Sequence, residues 1–487
     1  MIVLILLLSV CAVYYIFYRL KRKSLYELSR KLPNNGSLPI IGHAHWFMGG
    51  PERMLNSIQK LAKMTEETNG VGTIWIGPQL YVVITNPDDA QIILETCLQK
   101  DSSYRFLQKW LGNGLFVAPV DLWKIHRRVL LPIFHKRNIE DYIEVFGEQG
   151  QVLVSRLSEK LTVDKEFDVF KYITSCTLDI VFETAMGERM DVQQSPETPY
   201  LRARNTVMSV INMRLFKAWL QPEVLFHLTP YAKLQKENID VTHKFADEVI
   251  QKKRAAFESP DSNGVNHARS DILQQLLEKD IKFSDEELRE HIDSITIAGN
   301  DTTALVIAYA LVLLGSHPRE QEMLFDELQM IFGDSKRPPN KEDLGKMEYL
   351  ERVIKETMRL YTVVPVIGRE TQKTVQLSNC TVPAGVGCAI LPFVMHRCKK
   401  IWGPDVDSFN PDRFLPANSV KRHPCAFIPF SFGSRNCIGR HFGMLAMKSI
   451  LSNVLRSYKI KSNACEQLKI EILLFPVKGH LICIEKR

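Results

Sequence analysis

Apolar residues fill the first eighteen positions of the chain, and a basic cluster follows them. Met1 to Tyr18 carries no charged residue, and the charges begin at Arg19. A cleaved signal peptide, the alternative, has its positive charges before the apolar run and small residues after it. Roughly twenty apolar residues span a bilayer, and basic flanks stay on the cytoplasmic side. The pattern therefore predicts a transmembrane signal anchor over residues 1–20, with the rest of the chain in the cytosol.

Prolines interrupt any regular pattern between this segment and the body of the protein. Pro33 and Pro39 flank the turn-forming sequence Asn34-Asn35-Gly36. We interpret residues 21–50 as a basic and proline-rich linker and residues 51–487 as one folded domain. Within that domain, the polar segment 259–270 is predicted to be an exposed loop.

Most of the domain has a helical pattern, and strand patterns occur in three places. Runs of β-branched or alternating residues between turn residues indicate strands. They lie at 71–85, 374–390 and 471–486, the last with a predicted turn at Lys478-Gly479. The predicted fold class is mainly α with small β-sheets.

One predicted helix is much longer than the others. Ser284 followed by Glu287 is a capping box, and no proline occurs before Pro318. A helix of thirty-odd residues is about 45 Å long, enough to cross the domain. Its second half is apolar on all sides, which predicts burial in the core.

Charge and cysteine usage exclude several classes of protein. The formal net charge is +7, without a long run of like charges, which argues against nucleic-acid binding. The ten cysteines are scattered and form no C-x-x-C pair, so they indicate neither a disulfide framework nor a zinc site.

One cysteine stands in an unusual setting, FSFGSRNCIG, which has the spacing F-x-x-G-x-R-x-C-x-G. A buried thiol in a tight turn is the ordinary interpretation of a cysteine beside glycines. Here glycines permit close approach to a ligand, and an arginine can bind a carboxylate. The following residues are helical, so Cys437 is predicted at a helix amino end, where a thiolate is favoured. These features together fit a haem held by an axial sulfur.

The decapeptide resembles the haem-binding signature of the cytochrome P-450 monooxygenases, whose axial ligand is a cysteine. The resemblance implies a single-domain cytochrome P-450 fold behind the transmembrane anchor helix. It implies haem b as a non-covalent cofactor, with Cys437 as the iron ligand. The neighbouring positions implied to bind the haem are Phe430, Gly433, Arg435 and Gly439.

The sequence AGNDTT, residues 298–303, lies in the middle of the long predicted helix and resembles the oxygen-activation motif of the same family. Asp301 and Thr302 are then the catalytic residues, which relay protons and bond to the bound oxygen. Gly299 and the Thr302 hydroxyl can open the helix locally. The alternative is a polar kink without chemistry.

Two further motifs match the family. The sequence ETMR resembles a structural motif in which Glu356 and Arg359 join a later arginine, here Arg413 of PDRF. This triad is implied to hold the loop that delivers the cysteine. The sequence WKIHR resembles a helix motif whose Trp123 and Arg127 face the haem propionates, together with Arg369 and Arg435.

Within the superfamily, residues 110–116 and 126–135 resemble the fatty-acid ω-hydroxylase family (family four) and its arthropod relatives. Many of these enzymes have a glutamate where this chain has Ala298, and that carboxylate can attach to the haem covalently. The alanine predicts that haem is released under denaturing conditions. It also leaves more pocket volume, which favours a broader or bulkier substrate.

The resemblance implies a monooxygenase at the endoplasmic reticulum membrane, with its catalytic domain in the cytosol. Such an enzyme inserts one atom of O2 into a lipophilic substrate and receives electrons from an NADPH-dependent flavoprotein reductase, with a cytochrome b-type protein as a further donor. The predicted reductase-binding residues are Lys124, Arg128, Lys136, Arg440 and Lys448. The predicted substrate pocket comprises Phe106, Phe116, Ile297, Ala298, Val364, Ile367, Leu474 and Phe475.

Three functions remain open at this point. The first is hydroxylation of fatty acids or other lipids, and the second is broad oxidation of xenobiotics, odorants or pheromones. The third, a haem sensor or hydroperoxide isomerase that does not activate O2, is disfavoured because Asp301 and Thr302 are both present.

Overall fold

The computed structural model describes residues 2–161, 165–258, 270–279, 283–465 and 467–487. The predicted loop at 259–270 lies outside the described residues except for Ser270. The described helices are α1 Ile2–Lys21, α2 Lys23–Lys31, α3 Pro51–Glu66, α4 Pro87–Thr96, α5 Arg105–Leu111, α6 Val120–Leu130, α7 Lys136–Glu140, α8 Ile143–Ser158, α9 Phe170–Met186, α10 Pro199–Phe216, α11 Glu223–His227, α12 Pro230–Glu258, α13 Ile272–Leu277, α14 Asp285–Ser316, α15 Pro318–Phe332, α16 Lys341–Lys346, α17 Glu348–Leu360, α18 Pro392–Met395, α19 Lys399–Trp402, α20 Pro416–Ser419 and α21 Arg440–Ser457. The described strands are β1 Val71–Ile76, β2 Gln79–Ile84, β3 Gln99–Lys100, β4 Phe167–Asp168, β5 Ile367–Glu370, β6 Val375–Gln376, β7 Thr381–Val382, β8 Gly387–Ile390, β9 Tyr458–Lys461, β10 Leu468–Glu471, β11 Leu473–Pro476 and β12 Leu481–Lys486.

The largest sheet has the strand order β1-β2-β8-β5-β3. The predicted hairpin at 71–85 is confirmed, since β1 and β2 pair antiparallel from Val71 opposite Ile84 to Ile76 opposite Gln79. Strand β3 pairs with β5 so that Lys100 lies opposite Arg369. This register brings two positively charged residues from distant parts of the chain to one edge of the sheet.

The predicted closing hairpin at 471–486 is wrong in its turn. Strands β10 and β11 form a hairpin with Ile472 at its tip, and this residue has a φ of 66°. Strand β12 belongs to another sheet, where it pairs with β9 and β4. Alternation indicates strands but does not reveal their partners, so Lys478-Gly479 connects two sheets.

Helix α14 is the central element of the core and confirms the predicted long helix. The capping box is formed by Ser284 and Glu287, and the side chain of each accepts the backbone N–H of the other. The helix is long and apolar enough to cross a membrane, but 72% of its most apolar window is buried inside the protein. It is therefore a core helix.

The segment between α1 and α3 packs on the folded body. Leu28 and Leu32 are buried in the cluster that lies under the main sheet. The backbone N–H of Trp75 in β1 donates to His43 Nδ1 at 3.1 Å, and His43 Nε2 lies 3.1 Å from the Asn34 carbonyl. These contacts attach residues 28–43 to the edge of the domain.

Candidate active site

The loop that carries Cys437 is held tightly to the protein. The backbone N–H of Cys437 donates to the Phe430 carbonyl at 2.8 Å. Gly433 has a φ of +71°, and a Cβ atom there would lie 2.5 Å from the carbonyl oxygen of Leu94 in α4. Glycine is required at 433 because both the left-handed backbone and the close approach exclude a side chain. Gly439, with a φ of −85°, is the N-cap residue of α21.

The Cys437 side chain is exposed, although many protein atoms surround its sulfur. Surrounding protein atoms raise the pKa of this thiol by burial, against the opposing effects of the Gly439 N–H and the charges of Arg127 and Arg440. The Gly439 N–H at the helix amino end favours the thiolate, but burial opposes it more strongly. A metal ion bound to the sulfur would supply the missing positive charge.

Arg127 is hydrogen-bonded to the loop that carries Cys437. Its Nη1 donates to the Asn436 carbonyl at 3.1 Å and its Nη2 to Asn436 Oδ1 at 2.7 Å. The motif residue Arg127 is thus bound to the residue immediately before Cys437, and we infer that it orients the cysteine loop.

Arg435, Arg369 and Lys100 form a cationic cluster. The Arg435 guanidinium donates to the carbonyls of Leu98 and Ala118, and it lies 5.1 Å from the Trp123 ring. The Nε atoms of Arg369 and Arg435 are buried without a hydrogen-bond partner among the described residues. Within the same residues, none of the ion pairs joins this cluster to a carboxylate.

Lys100 is a site residue that the sequence did not reveal. Its Nζ lies 4.2 Å from the centre of the Tyr104 ring and 3.8 Å from that of Phe116. Burial, and then the charges of Arg369 and Arg435, lower the pKa of Lys100 well below its ordinary value. A lone lysine in a two-residue strand carries no sequence signal, and only the pairing of β3 with β5 places it here.

The motif AGNDTT leaves part of the surface of α14 accessible at Ala298, Asp301 and Thr302, and we call this accessible region the opening in α14. Ala298 is exposed and Asp301 and Thr302 are half-buried, whereas residues 303–314 are buried. Because α14 runs through the core, exposure at this point indicates an internal cavity. The Thr302 hydroxyl donates to the Ala298 carbonyl at 2.7 Å, while the helix remains α-helical through the motif. The hydroxyl oxygen is left as an acceptor toward the cavity.

The motif and the cysteine loop approach each other through α21. A methyl group on Gly443, one turn after the N-cap of α21, would lie 3.9 Å from the hydroxyl of Thr303. Asp301 forms an ion pair with a buried arginine of α10, with 2.5 Å between Asp301 Oδ2 and Arg204 Nη2. Arg204 Nη2 and Asp301 Oδ2 are close enough for an ion pair, but their relative orientation is not that of a hydrogen bond.

Comparison with known proteins places these features in one family. The sequence profile of the family described as Cytochrome P450 matches residues 32–484. This chain belongs to the cytochrome P450 family. It is 34% identical to cytochrome P450 4c3 of Drosophila melanogaster, over 99% of this chain and 94% of that protein, and 34% identical to cytochrome P450 4V2 of Homo sapiens, over 92% and 88%.

The fold agrees with this assignment. The crystal structure of the cytochrome P450DA heme domain superposes with a TM-score of 0.81, at 21% identity, over 94% of this chain and 98% of that chain. As a family member, this P450 is a monooxygenase and holds haem non-covalently through a cysteine thiolate. The resemblance noted from the motifs is confirmed at the level of the family and of its family-four relatives.

The residues around the cavity fit a haem. A haem carries two carboxylates, and the cluster of Lys100, Arg369 and Arg435 offers basic side chains and two unpaired Nε donors, with no ion pair to a carboxylate among the described residues. Across the cavity region, Cys437 presents an accessible sulfur and Ala298 presents only a methyl group. Cationic, sulfur and apolar surfaces are thus all available to one planar anionic ligand.

The structure brings the three residues of the predicted triad together. Glu356 accepts from Arg359 Nε at 2.7 Å and Nη2 at 2.8 Å, and Arg413 Nε lies 3.4 Å away. Glu356 also accepts the backbone N–H of Asn410 at 3.0 Å. Arg359 extends the network to the carbonyls of His396 and Ser408. A buried carboxylate therefore joins helix α17 to the segment that leads toward the cysteine loop.

The predicted substrate pocket is only partly assembled. Phe106, Phe116 and Ile297 belong to one apolar cluster, which also contains Val207 and Ile211 of α10. Those α10 residues were missed, since an amphipathic helix does not show from sequence which neighbour it covers. The hairpin tip that joins this cluster is Ile472.

Four predicted pocket residues belong to other apolar clusters. Leu474 is fully buried, where its N–H donates to Val363 and its carbonyl accepts the Tyr309 hydroxyl, so it packs in the core. Phe475 packs on Phe170 in the same core. Ile367 is buried in the sheet core, with Val364 packed against it. Because the β10–β11 hairpin turns at Ile472, this residue lies at the tip, and Leu474 and Phe475 lie within strand β11.

One member of the predicted reductase-binding face is also misplaced. Lys448 is 6% exposed, and its Nζ donates to Glu351 at 2.7 Å and to the Leu344 carbonyl at 3.0 Å. It therefore cannot meet a partner protein. Lys124, Arg128, Lys136 and Arg440 are exposed.

Proposed function

We propose that this P450 hydroxylates lipophilic substrates of the fatty-acid or lipid class, with Cys437 as the axial ligand of its haem. The observation that carries the proposal is the apolar cluster beside the opening in α14. Phe106, Phe116, Ile297 and Ile472 come from separate segments and belong to one apolar cluster. Two charged groups lie on its rings, Lys100 Nζ at 3.8 Å from Phe116 and the Arg214 guanidinium at 4.7 Å from Phe106. Apolar side chains in a pocket favour apolar ligands, because a polar group buried against them would lose its hydrogen bonds to water.

The haem supplies the O2 chemistry and the protein supplies orientation, protons and exclusion of water. The haem carboxylates would be held by Arg369, Arg435 and Lys100, and Trp123 packs on Arg435. Phe430, Gly433 and Gly439 shape the loop, and Arg127 orients it through Asn436. The triad of Glu356, Arg359 and Arg413 would keep the approach to that loop rigid.

Asp301 and Thr302 would deliver protons at the opening in α14. The Thr302 hydroxyl donates to the Ala298 carbonyl, so its oxygen can accept a hydrogen bond from a water molecule. The net reaction consumes one O2, two electrons and two protons for each hydroxylated product and water. A haem sensor or isomerase would not use this proton-relay pair.

Electrons must come from a redox partner, for which we propose an NADPH-dependent flavoprotein reductase with a cytochrome b-type protein as a second donor. The exposed cations Lys124, Arg128, Lys136 and Arg440 would attract an acidic partner. They belong to α6, α7 and α21, and α21 follows the cysteine loop directly.

We further propose that helix α1 anchors the protein in the endoplasmic reticulum membrane. Its twenty residues are about 30 Å long, the thickness of a bilayer core. Its described apolar side chains, including Val13, Tyr14 and Phe17, are exposed on all sides. Exposed apolar residues also occur near the linker at Ile40 and between α10 and α12 at Trp219 and Leu228. Such surfaces favour contact with lipid.

Broad oxidation of foreign compounds is the second candidate, and it is favoured by Ala298. An alanine at this exposed position leaves space where a glutamate would restrict the substrate. Purified protein with reductase should be tested against a panel of fatty acids and xenobiotics, with analysis of the products. Hydroxylated fatty acids are expected, and turnover of xenobiotics alone would contradict lipid hydroxylation.

The role of Cys437 is tested independently of any substrate. The reduced, carbon-monoxide-bound protein should show the red-shifted Soret band of thiolate ligation, and Cys437→His should move that band to the ordinary imidazole position. Cys398→Ser, at another partly accessible cysteine, is the control and should keep the red shift. A red shift retained in Cys437→His would assign the ligand to another cysteine.

A further inference from the structure

Helix α14 carries polar residues in the turns that lead to Asp301. Arg289, Asp293 and Asp301 are polar, and the intervening Ile297 is apolar. Each step of four residues turns about 40° around the helix, so consecutive members are neighbours, while Arg289 and Asp301 lie about 120° apart. Burial of such polar groups in a core is costly unless they are hydrogen-bonded or have a function. The neighbours on α10 and α12 include the polar residues Arg204 and His243 beside the apolar Val207 and Ile211.

The outer end of this polar stretch opens at the protein surface. His243 of α12 lines a surface cleft together with Asp247 and Arg289. Arg289 Nη1 donates to both Asp247 oxygens, at 2.8 and 3.0 Å. The His243 side chain is 23% exposed, and its Nε2 lies 2.8 Å from the Trp110 carbonyl and 3.6 Å from Asp293 Oδ2. His243 therefore connects solvent to a buried carboxyl group.

Asp293 is 1% exposed, and its Oδ2 has no hydrogen-bond partner among the described residues. Burial raises the pKa of this carboxyl well above its ordinary value, although the charge of Arg289 opposes the shift. Burial therefore favours the protonated form of this carboxyl group. A protonated carboxyl can both donate and accept a hydrogen bond.

Tyr200 of α10 lies within electrostatic range of both the buried carboxyl and Asp301. Its ring is fixed by Phe182 and Phe245, with ring centres 5.2 and 5.1 Å away. The hydroxyl is buried and lacks a partner in the described part of the chain. Burial raises the pKa of Tyr200, and its further shifts come from the charges of Asp293, Arg204 and Asp301, which places all three within electrostatic range.

The inner end is the ion pair between Arg204 and Asp301. Arg204 is one helical turn after Tyr200 in α10, and its side chain is 2% exposed. Its Nε is also unpaired among the residues that the structure describes. Unpaired buried atoms thus occur on Asp293, Tyr200 and Arg204. Buried polar atoms without a protein partner are the sites at which ordered water binds.

We propose that protons consumed in turnover reach Asp301 from the cleft at His243, by way of Asp293 and the Tyr200 hydroxyl with bridging water. The proposal rests on the proposed role of Asp301 and Thr302. His243 exchanges protons with solvent, Asp293 passes one inward, and Arg204 orients Asp301 at the inner end. In this scheme His243, Asp293 and Tyr200 act through Asp301 and do not touch the substrate.

The test uses two conservative variants of the complete holoenzyme and two matched controls. Asp293→Asn and Tyr200→Phe remove the proton-carrying groups and keep the size of the side chains. Asp179→Asn is the control for a buried carboxyl, since Asp179 is 3% exposed and accepts the N–H groups of Val192 and Gln193. Tyr458→Phe is the control for a buried hydroxyl, which donates to the Val154 carbonyl at 2.8 Å.

The first readout is the fate of the reducing equivalents. Asp293→Asn and Tyr200→Phe should lower the fraction of NADPH that yields product several-fold and raise the release of hydrogen peroxide, because proton delivery becomes slow. The Michaelis constant for substrate should not change, and both controls should resemble the wild type. Wild-type coupling in both path variants, or an equal loss in the controls, would overturn the proposal.

The second readout does not depend on turnover. The infrared spectrum of the resting protein should contain a carboxyl band that shifts in D2O and disappears in Asp293→Asn but remains in Asp179→Asn. An unchanged band in Asp293→Asn would show that Asp293 holds no exchangeable proton and would overturn the path. Loss of product or of thiolate ligation in the wild type would instead contradict the proposed function, and the infrared result would still decide the protonation of Asp293.

Discussion

Replacement of Gly433 by alanine tests whether the cysteine loop depends on close contact with α4. An alanine Cβ at this position would lie 2.5 Å from the Leu94 carbonyl oxygen and 3.0 Å from its carbonyl carbon. Both atoms belong to the backbone of a buried helix, so they cannot rotate away as a flexible side chain would. The φ of +71° adds backbone strain for any residue with a Cβ.

The backbone strain and the close contact contribute separately to the loss of folding stability, and a second glycine variant distinguishes them. A left-handed backbone costs an L-residue about 1–2 kcal/mol, and overpacking costs about 1–3 kcal/mol. Gly433→Ala should therefore destabilise the fold by about 2–5 kcal/mol. Gly77→Ala is the matched control, because Gly77 has a φ of +55° and a methyl group there would have no heavy atom within 4 Å. It should cost only about 1–2 kcal/mol.

Thermal unfolding of the holoprotein measures the difference. An unfolding entropy of about 2.1 cal/mol/K per residue gives roughly 1 kcal/mol/K for a domain of this size, so the expected falls in melting temperature are about 2–5 °C for Gly433→Ala and about 1–2 °C for Gly77→Ala. The carbon-monoxide spectrum should also show a lower fraction of thiolate ligation in Gly433→Ala alone. Equal melting temperatures and equal spectra would refute the close-contact argument.

Three further predictions concern the cavity and the exposed cations. Thr302→Ala should retain haem but release more peroxide for each NADPH consumed, since the hydroxyl that bonds the Ala298 carbonyl is lost; unchanged coupling would place the proton path elsewhere. Wild-type protein should release all of its haem in denaturing chromatography, because Ala298 has no carboxylate, and Ala298→Glu should retain part of the haem after turnover; covalent haem in the wild type would contradict this. Turnover with reductase should fall as salt rises, and Lys124→Glu with Arg128→Glu should weaken that dependence, whereas Lys233→Glu, an exposed control on α12, should not; a flat response in the wild type would refute steering by these charges.

The features that could be predicted from the sequence depend on residues close together in the chain. The capping box of α14 needs only Ser284 and Glu287, and the β1–β2 hairpin needs only one alternating segment with its turn. The cysteine motif likewise lies within ten consecutive residues. Local hydrogen bonding and backbone preference act over these distances, so a single sequence is sufficient to identify such elements and the family they indicate.

The features decided by the tertiary structure require contacts between distant segments. Lys100 joins the cationic cluster through its register with Arg369, and Ile472 replaces Leu474 at the pocket because the β10–β11 hairpin turns at Ile472 and not at Lys478-Gly479. Lysine is a residue type usually found at the surface, yet Lys448 is buried and its Nζ donates to Glu351. In each example the side-chain type was visible in the sequence. Its neighbours were set by strand pairing and helix packing, which depend on the free energy of the whole fold and not on any local segment.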